Sequence, residues 1–227
     1  YKSLASLDGA GFHGGYNHIV YQMVGQPLGV FYLPHSTGLE SDGNGGYTYG
    51  IADLNGGGVS LEDGEDRYVA GQAVPKTILG SNISFRYKRF DLSLQVNGAF
   101  GHKIYNGTSL TYMNMNIFPD YNVMKKAPKQ NIKDQTATDY WLEKGDYVNF
   151  DYVTLGWNLP IEKVQKLKKY VRSLRLAFTV NNLATISGYS GLSPMINSST
   201  VNSTLGVDDK RGYPLARTYT LGLSINF

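Results

Sequence analysis

The last eleven residues of the chain, RTYTLGLSINF, alternate strictly between apolar and polar positions. Successive side chains of a strand point to opposite faces, so Tyr219, Leu221, Leu223, Ile225 and Phe227 share one face. Small or polar residues occupy the other face. The pattern therefore predicts a strand with two unlike environments, either the edge of a soluble sheet or a strand between lipid and water.

Three further segments repeat this alternation and predict four more strands. Residues 82–100 predict a hairpin with a tight turn at Lys88 and Arg89, and residues 149–159 and 173–183 predict one strand each. A sixth, weaker strand pattern lies within residues 16–33. The chain is therefore predicted to be all-β, with five or six antiparallel strands.

The connections between the predicted strands alternate in length. The turn at Lys88 and Arg89 is short and residues 160–172 are intermediate, whereas residues 102–148 and 187–215 are long. Short turns at one end and long loops at the other are typical of outer-membrane barrels. Residues 160–172 also carry the one helical pattern, which predicts either a basic amphipathic helix at a surface or a short solvated helix that closes a hairpin; we favour the latter.

Composition narrows the possible classes of protein. The 227 residues include 27 Gly and 18 Tyr but no Cys, and the formal net charge is +3. Abundant Gly and Tyr favour short strands and turns over helices. The mild charge gives no argument for a nucleic-acid partner. No apolar run approaches the length of a transmembrane helix, and the chain begins at Tyr1 rather than Met, so we expect it to be part of a longer protein.

One loop has candidate metal ligands. Asp53 and Asn55 stand at the first and third positions of an EF-hand-like pattern and Gly58 at the sixth, but Gly57 replaces the fifth-position ligand. The loop is either a degenerate Ca²⁺ site held by Asp53 and Asn55 or a glycine-rich turn with an acidic rim. The missing ligand favours the turn.

Other candidate chemistry is sparse. The histidines lack metal-site spacing and are predicted to be loop residues: His13, His18, His35 and His102. No catalytic motif is present, so we expect no catalytic residue, no enzyme activity and no required cofactor. Several loop tyrosines either stack on sugar rings or pack within the loops and the interface, and we favour packing. They are Tyr47, Tyr49, Tyr105, Tyr112 and Tyr121.

Three stretches together resemble the SusC/RagA family of TonB-dependent outer-membrane transporters. The first, at residues 52–80, contains DLNGGG followed by GQAVPK. The second, at residues 85–106, contains YKRFDLS. The third is the tail, with NNLATISGYSGLSP, GVDDKRGYPLAR and the terminal Phe227. The resemblance extends over most of the chain from about Val24 onward.

The resemblance implies a large plugged barrel of roughly 22 strands in the bacterial outer membrane, of which this chain supplies the last five or six. Residues 1–227 would form the C-terminal part of the barrel, and the plug would lie outside this chain. The implied function is TonB-dependent import of an oligosaccharide, glycan or peptide. The implied partners are a SusD-like surface lipoprotein, the TonB–ExbB–ExbD system through the missing N-terminal part, and outer-membrane lipid. Phe227 resembles the family's barrel-assembly signal.

A barrel segment makes a definite prediction about the two strand faces. The apolar band should face lipid, and it consists of Leu92, Leu94, Leu155, Trp157, Leu174, Phe178, Leu221, Leu223 and Ile225. The lumen should receive Ser93, Gln95, Thr179, Thr220 and Ser224. Leu223 is expected near the middle of the membrane. The alternative is a secreted soluble β-sandwich that binds carbohydrate, which would bury the same apolar faces in one core.

Overall fold

The computed structural model describes residues 2–6, 18–61, 65–164, 169–195, 205–210 and 213–227. Its strands are β1 (Lys2–Ser6), β2 (His18–Gln22), β3 (Val30–Pro34), β4 (Ser36–Ser41), β5 (Tyr47–Ile51), β6 (Arg67–Gln72), β7 (Thr77–Tyr87), β8 (Phe90–Phe100), β9 (Lys103–Asn106), β10 (Leu142–Lys144), β11 (Tyr147–Asn158), β12 (Ser173–Ser187), β13 (Val207–Asp208) and β14 (Thr218–Asn226). Two short α-helices are α1 (Gly107–Tyr112) and α2 (Ala127–Gln130), and three 3₁₀ turns are Met115–Ile117, Asp139–Trp141 and Ile161–Lys163. In the part of the chain that is described, no helix is long and apolar enough to cross a membrane.

The chain divides into two compact units. The sheet unit comprises residues 77–100, 147–187 and 214–227, and the packed unit comprises residues 1–76, 101–146 and 188–213. The sheet unit is a five-stranded antiparallel sheet with the order β14-β12-β11-β8-β7. These are the five strongly predicted strands, so that prediction is confirmed, and they are long enough to span a bilayer when tilted.

The sheet follows the predicted alternation of connections. Tyr87 pairs with Phe90 across the turn, where Lys88 adopts a positive φ of 53°. Asn158 donates its N–H to the carbonyl of Arg89 at 2.8 Å, so the turn at 88–89 and the start of the connection after β11 meet at one end of the sheet. We call this the short-turn end. The long connections leave the opposite end.

A bulge at Asp151 interrupts the register of β11. Phe150 pairs with Val96 and Tyr152 with Gln95, which leaves Asp151 without a place in the ladder. The extra residue shifts the apolar face of β11 from even positions before the bulge to odd positions after it. The carboxylate of Asp151 accepts hydrogen bonds from Asn97 Nδ2 at 2.7 and 2.6 Å. An unpaired residue of this kind is typical of barrel strands.

The packed unit holds the main buried core. A four-stranded antiparallel sheet has the order β1-β2-β3-β6, β4 and β5 form a hairpin, and β10, β9 and β13 form a third sheet in which β13 runs parallel to β9. The core consists of Ile19, Val20, Phe31, Leu33, Tyr49, Ala70, Ala73, Tyr105, Leu110, Ile132, Ala137 and Val207. Residues 102–148, predicted only as a long connection, therefore contribute much of a folded core.

Two predictions of local structure need correction. The weak strand pattern at residues 16–33 is two strands, β2 and β3, which belong to the packed unit and not to the five-stranded sheet. Within residues 160–172, the described part is a 3₁₀ turn at Ile161–Lys163 and a turn at Lys169 and Tyr170, while residues 165–168 lie outside the described residues. The described helices α1 and α2 lie in a segment where none was predicted.

Candidate functional site

One face of the five-stranded sheet is a continuous apolar surface. Residues opposite each other on neighbouring strands lie on the same face, so the register assembles the apolar positions into rows. From the short-turn end these rows are Tyr87–Phe90–Trp157–Leu176–Leu223, Phe85–Leu92–Leu155–Phe178–Leu221 and Ile83–Leu94–Val153–Val180–Tyr219. Exposed fractions are 61% at Phe85, 56% at Leu155 and 71% at Leu221. A soluble protein rarely exposes so large a contiguous apolar surface.

Aromatic side chains gather in the row next to the short-turn end. Phe90 and Trp157 stack with their ring centroids 6.1 Å apart and their planes within 9° of parallel. Leu223 belongs to this row, because it pairs with Leu176, which in turn pairs with Trp157. Leu223 therefore lies near the short-turn edge of the apolar face rather than at its middle, and the row that contains Leu155 and Leu221 lies further from that edge. Aromatic rows at the edge of an apolar band are typical of barrels at the membrane–water interface.

The opposite face of the sheet is polar and hydrogen-bonded. Its rows are Arg86–Asp91–Gly156–Ala177–Gly222, Ser84–Ser93–Thr154–Thr179–Thr220 and Asn82–Gln95–Tyr152–Asn181–Thr218. The hydroxyl oxygens of Thr154 and Thr179 lie 2.8 Å apart, and Asn82 Nδ2 donates to the Tyr152 hydroxyl at 3.1 Å. The predicted division of the strand residues into two faces is confirmed by this register.

An ion pair crosses the polar face above Gly156. Arg175 on β12 donates to Asp91 on β8 through Nε at 3.2 Å and Nη2 at 2.5 Å, although β11 lies between these strands. A Cβ at Gly156 would lie 2.3 Å from Asp91 Oδ2 and 2.4 Å from Arg175 Nη2. Only glycine leaves room for this bidentate pair. The pair gives no local signal in the sequence, because its two residues are 84 positions apart.

The tail motifs are joined to one another by hydrogen bonds. Asn182, from the NNL motif, adopts a positive φ of 51°, and its Nδ2 donates to the carbonyl of Ala216 at 2.7 Å. Its own carbonyl accepts from Arg217 Nε at 3.3 Å. The YPLAR segment is thereby attached to β12 where β14 begins. These two motifs thus have a structural role in seating the last strand.

Two further motifs meet inside the packed unit. Tyr189, from SGYSG, donates its hydroxyl hydrogen to Asp208 of the GVD motif at 2.7 Å, and Thr108 donates to the same carboxylate at 2.6 Å. Burial, reinforced by the bond to Asp208, raises the pKa of Tyr189, so its hydroxyl stays protonated and remains a donor. This contact orients the segment that leads into β13.

The candidate calcium loop is organised by hydrogen bonds from its own backbone. Asp53 accepts from the N–H groups of Gly56 at 2.6 Å and Gly58 at 3.0 Å, and Asn55 Oδ1 accepts from Gly57 at 2.7 Å. Asn55 Nδ2 donates to Glu65 at 2.7 Å. The oxygens of both candidate ligands are therefore engaged within the loop. Residues 62–64, which include two of the nearby acidic residues, lie outside the described part of the chain.

Asp66 also stabilises this loop, through hydrogen bonds to its carboxylate. Its carboxylate is fully buried and accepts from the backbone N–H groups of Ser60 at 2.7 Å, Leu54 at 2.7 Å and Asn55 at 3.3 Å. The bond from Ser60, followed by that from Leu54, lowers the pKa of Asp66 because both favour the charged form. No pattern in the sequence indicates this role of Asp66, because the role depends on burial.

Histidines and loop tyrosines occupy varied positions. Among the described residues, no group of three or more His, Cys, Asp or Glu side chains is placed to hold a metal ion. His35 Nδ1 lies 2.8 Å from Asp139 Oδ2, while His102 is buried and its pKa is lowered by that burial. His13 lies outside the described residues.

The loop tyrosines divide into two groups. Tyr49 and Tyr105 are buried in the core, as packing predicted, whereas Tyr47 and Tyr121 are exposed.

The packed unit contains an open cleft of about 620 Å³. Its apolar lining includes Met113, Met124, Trp141 and Leu192, and its polar lining includes Asn106, Lys125, Lys126, Ser190 and Lys210. Such a combination of apolar surface with a few polar groups is typical of sites for small ligands.

Comparisons with known proteins agree with the motifs. No family model matches the chain. TonB-dependent receptor P3 of Formosa agariphila is 29% identical over 89% of this chain and 22% of its own length. TonB-dependent receptor SusC of Bacteroides thetaiotaomicron is 26% identical over 78% of this chain and 17% of its own length. TonB-dependent receptor P26 of Formosa agariphila is 27% identical over 77% of this chain.

Solved structures share the fold. The structure of the RagAB peptide transporter matches with a TM-score of 0.65 at 14% identity, over 93% of this chain and 25% of that chain. The RagAB peptide importer in the closed-closed state matches with a TM-score of 0.62 at 15% identity, over 92% of this chain. The chain spans 17–22% of the length of the curated relatives it matches. Its fold is that of an antiparallel transmembrane β-barrel segment, and its sequence is similar to those of TonB-dependent receptors, SusC among them.

Proposed function

We propose that this chain forms part of the wall of an outer-membrane importer that uses TonB to take up a nutrient. The observation that carries the proposal is the five-stranded sheet, with one exposed apolar face and one polar, hydrogen-bonded face. In a barrel wall the apolar face contacts lipid and the polar face lines the lumen. The names of the sequence relatives, all TonB-dependent receptors, support the same function.

Residues 1–227 act in this proposal as the C-terminal part of the barrel. A five-stranded sheet has two edges, and an unpaired edge cannot satisfy its backbone groups in lipid. Closure therefore requires strands beyond those of this sheet. The plug and the contact with TonB–ExbB–ExbD are assigned to the part of the protein outside this chain, because TonB coupling needs a segment that reaches the periplasm.

The packed unit is assigned to the outer surface of the cell. Barrels of this class have short turns on the periplasmic side and long loops outside, which places the turn at 88–89 in the periplasm and residues 101–146 and 188–213 outside. Exposed aromatic side chains at Phe118 (58%) and Tyr121 (67%) suit a protein contact. The proposed partner is a SusD-like surface lipoprotein that closes over the barrel.

The proposed substrate is an oligosaccharide or a peptide. The cleft that includes Trp141 and Lys125 offers both an apolar surface and hydrogen-bond donors, as either substrate requires. The name of the RagAB peptide importer supports the peptide. Trp141 donates its Nε1–H to the Tyr49 hydroxyl at 2.7 Å, which fixes the indole ring at the cleft.

A secreted soluble β-sandwich that binds carbohydrate is the alternative function. It would require the apolar rows of the sheet to be buried by a second sheet. Phe85, Leu155 and Leu221 are instead more than half exposed. The observation therefore favours the membrane protein.

A shortened 102–148 segment would not test partner binding alone, because Tyr105, Leu110 and Ile132 of that segment are fully buried. Exposed side chains give a cleaner test. We would replace Phe118 and Tyr121 by Ser in the intact transporter and measure lipoprotein co-purification and growth on the cognate nutrient. Val164 and Tyr170, which are 45% and 67% exposed at the short-turn end, form the matched control pair.

The expected result is reduced co-purification and slower growth for the first pair of substitutions, with the control pair unchanged. Equal lipoprotein co-purification with the two double variants would show that the surface around Phe118 and Tyr121 is not the docking site. Failure of the intact protein to fractionate with the outer membrane would contradict the proposed function itself.

A further inference from the structure

Basic side chains gather at the short-turn end of the sheet unit. They are Lys88 and Arg89 in the first turn and Lys163, Lys169 and Arg172 in the connection between β11 and β12. All except Arg89 are exposed. We call this group the basic rim.

Backbone hydrogen bonds hold the segments of the basic rim together. The carbonyl of Arg89 accepts from Asn158 N–H at 2.8 Å, and the N–H of Arg172 donates to the carbonyl of Asn226 at 2.7 Å. Arg89 also pairs with Glu162. Among the described residues of these two connections, Glu162 is the one acidic side chain opposed to the five basic ones, so the basic rim carries a clear positive excess.

The apolar face begins immediately beside the basic rim. Lys88 Nζ lies 5.2 Å from the centre of the Tyr87 ring, and Tyr87 and Phe90 form the near end of a groove on that face. Further along, the groove is lined by Phe85, Leu92, Leu155, Trp157, Leu176, Phe178 and Leu221. The groove thus extends from the cations across two rows of apolar side chains.

This arrangement matches the two parts of one kind of molecule. A phospholipid has a charged phosphate next to long acyl chains, and clusters of Lys and Arg at a membrane surface attract anionic headgroups. Aromatic rings are typical of the headgroup level of a membrane, and here Tyr87, Phe90 and Trp157 lie between the cations and the rest of the groove. A free anion would use the cations but not the groove.

We propose that the basic rim and the adjoining groove bind an anionic phospholipid of the membrane leaflet at the short-turn end. The phosphate contacts Lys88, Lys163 and Lys169, and one acyl chain lies along the groove past Trp157 and Leu155. This inference rests on the proposed function, because it requires the apolar face to be in a bilayer.

The test compares lipids on the intact transporter. The purified protein is placed in nanodiscs of phosphatidylcholine with either phosphatidylglycerol or phosphatidylethanolamine as the minor lipid, and lipid retained after transfer to detergent is measured by native mass spectrometry. The rim variant carries Lys88→Gln, Lys163→Gln and Lys169→Gln. The control carries Lys76→Gln, Lys129→Gln and Lys144→Gln, three exposed lysines of the packed unit.

We expect selective retention of phosphatidylglycerol by the unaltered protein and the control. The rim variant should lose it by about 100-fold, since each surface cation contributes about a factor of five to the attraction. A Trp157→Ala variant should keep the preference for the anionic headgroup but retain less lipid overall. This separates the contribution of the groove from that of the charges.

Several results would overturn the inference. Equal loss in the rim and control variants would show a general effect of net charge. Displacement of the lipid by millimolar inorganic phosphate would show a simple anion site. Equal retention of all three lipids by a protein that fractionates with the outer membrane would reject the lipid site and leave the proposed function standing. Absence from the membrane fraction would reject both.

Discussion

The two units of this chain place similar apolar side chains in opposite environments. In the packed unit, Phe31 and Leu33 are fully buried, whereas in the sheet unit Phe85 and Leu221 are 61% and 71% exposed. Phe31 and Leu33 belong to the apolar run VFYLP of β3, whereas Phe85 and Leu221 belong to strands that alternate apolar and polar residues. A strand enclosed by protein on both faces is apolar at nearly every position, and a strand with two unlike environments alternates.

The difference extends to polar groups. In the packed unit, buried carboxylates such as Asp66 and Asp208 receive several hydrogen bonds each, as burial requires. In the sheet unit the polar side chains lie together on one face and bond across strands. The packed unit thus has the organisation of a water-soluble domain, and the sheet unit has that of a wall between lipid and water.

The largest expected effect contrasts two leucines. Leu33→Ala should destabilise the packed unit by about 2–5 kcal/mol, because it leaves a cavity in a close-packed core. Leu221→Ala should cost only the transfer part of that loss, about 2 kcal/mol or less, because lipid or detergent fills the space and no cavity remains. Denaturant unfolding of the intact transporter, followed by limited proteolysis of each unit, measures both. Similar losses at the two sites would mean that the face of Leu221 is packed against protein.

A charge on the sheet should discriminate between its two faces. Leu155→Arg should cost about 2–4 kcal/mol in the assembled barrel, while Thr154→Arg on the polar face should cost little. Leu223→Arg should fall between them, about 0–1 kcal/mol, because the register places Leu223 near the edge of the apolar face. The measurement is reversible unfolding in lipid vesicles. A larger cost at Leu223 than at Leu155 would contradict the assigned height of the rows.

Two glycines of one polar row test the ion pair. Gly156→Val should destabilise the sheet by about 1–3 kcal/mol, because its side chain would displace Asp91 and Arg175. Gly222→Val should be tolerated, since the nearest atom to its Cβ lies 3.8 Å away. Unfolding in lipid vesicles compares them. Equal effects would show that the loss at Gly156 reflects glycine in a strand rather than the ion pair.

The loop at residues 52–61 should open in acid. The pKa of Asp66 is lowered in the folded state, so its stabilising contribution is present above the ordinary carboxyl value of 3.8 and is lost as the pH falls through the lower folded value. The protection factors of the Leu54 and Ser60 amides in hydrogen exchange should therefore fall below about pH 4. Asp66→Asn should give fast exchange at every pH. Unchanged protection in acid would show that the carboxylate does not hold the loop.

The smallest expected effect concerns calcium. Asp53 already accepts two backbone hydrogen bonds, and Gly57 supplies no side-chain ligand, so we predict weak or no Ca²⁺ binding. Calorimetry on the intact transporter should show no tight site, and Asp53→Ala should change nothing. A tight site that Asp53→Ala abolishes would show that the acidic residues at 62, 63 and 65 complete the ligand set.

The sequence predicted the sheet well because each of its strands carries its own period-two pattern. That local signal is enough to place the short turn and to assign each residue to one face, for example Leu155 to the apolar face and Thr154 to the polar face. The bulge at Asp151 was missed, because one inserted residue changes the phase of the pattern without any change in composition.

The packed unit was much harder to predict. Its core joins Phe31, Tyr105, Leu110 and Val207, which are far apart in the chain, and its strands are only two to six residues long. Such short segments show no period, and irregular backbone with many polar residues resembles a loop. The same limit applies to the candidate site residues. Asp53 could be predicted from a sequence motif, whereas Asp66 and the pair of Asp91 and Arg175 depend on contacts between residues distant in the chain.

The central claim is that the two faces of the sheet contact different media, and the chain allows a direct test because it contains no cysteine. Single cysteines at Leu155 and Leu221 on one face, and at Thr154 and Thr220 on the other, would carry an environment-sensitive fluorophore in the intact transporter in vesicles. We predict that a quencher attached to lipid chains quenches the probes at 155 and 221, and that a water-soluble quencher acts on the probes at 154 and 220. Quenching from water at all four positions, with none from lipid, would contradict the account.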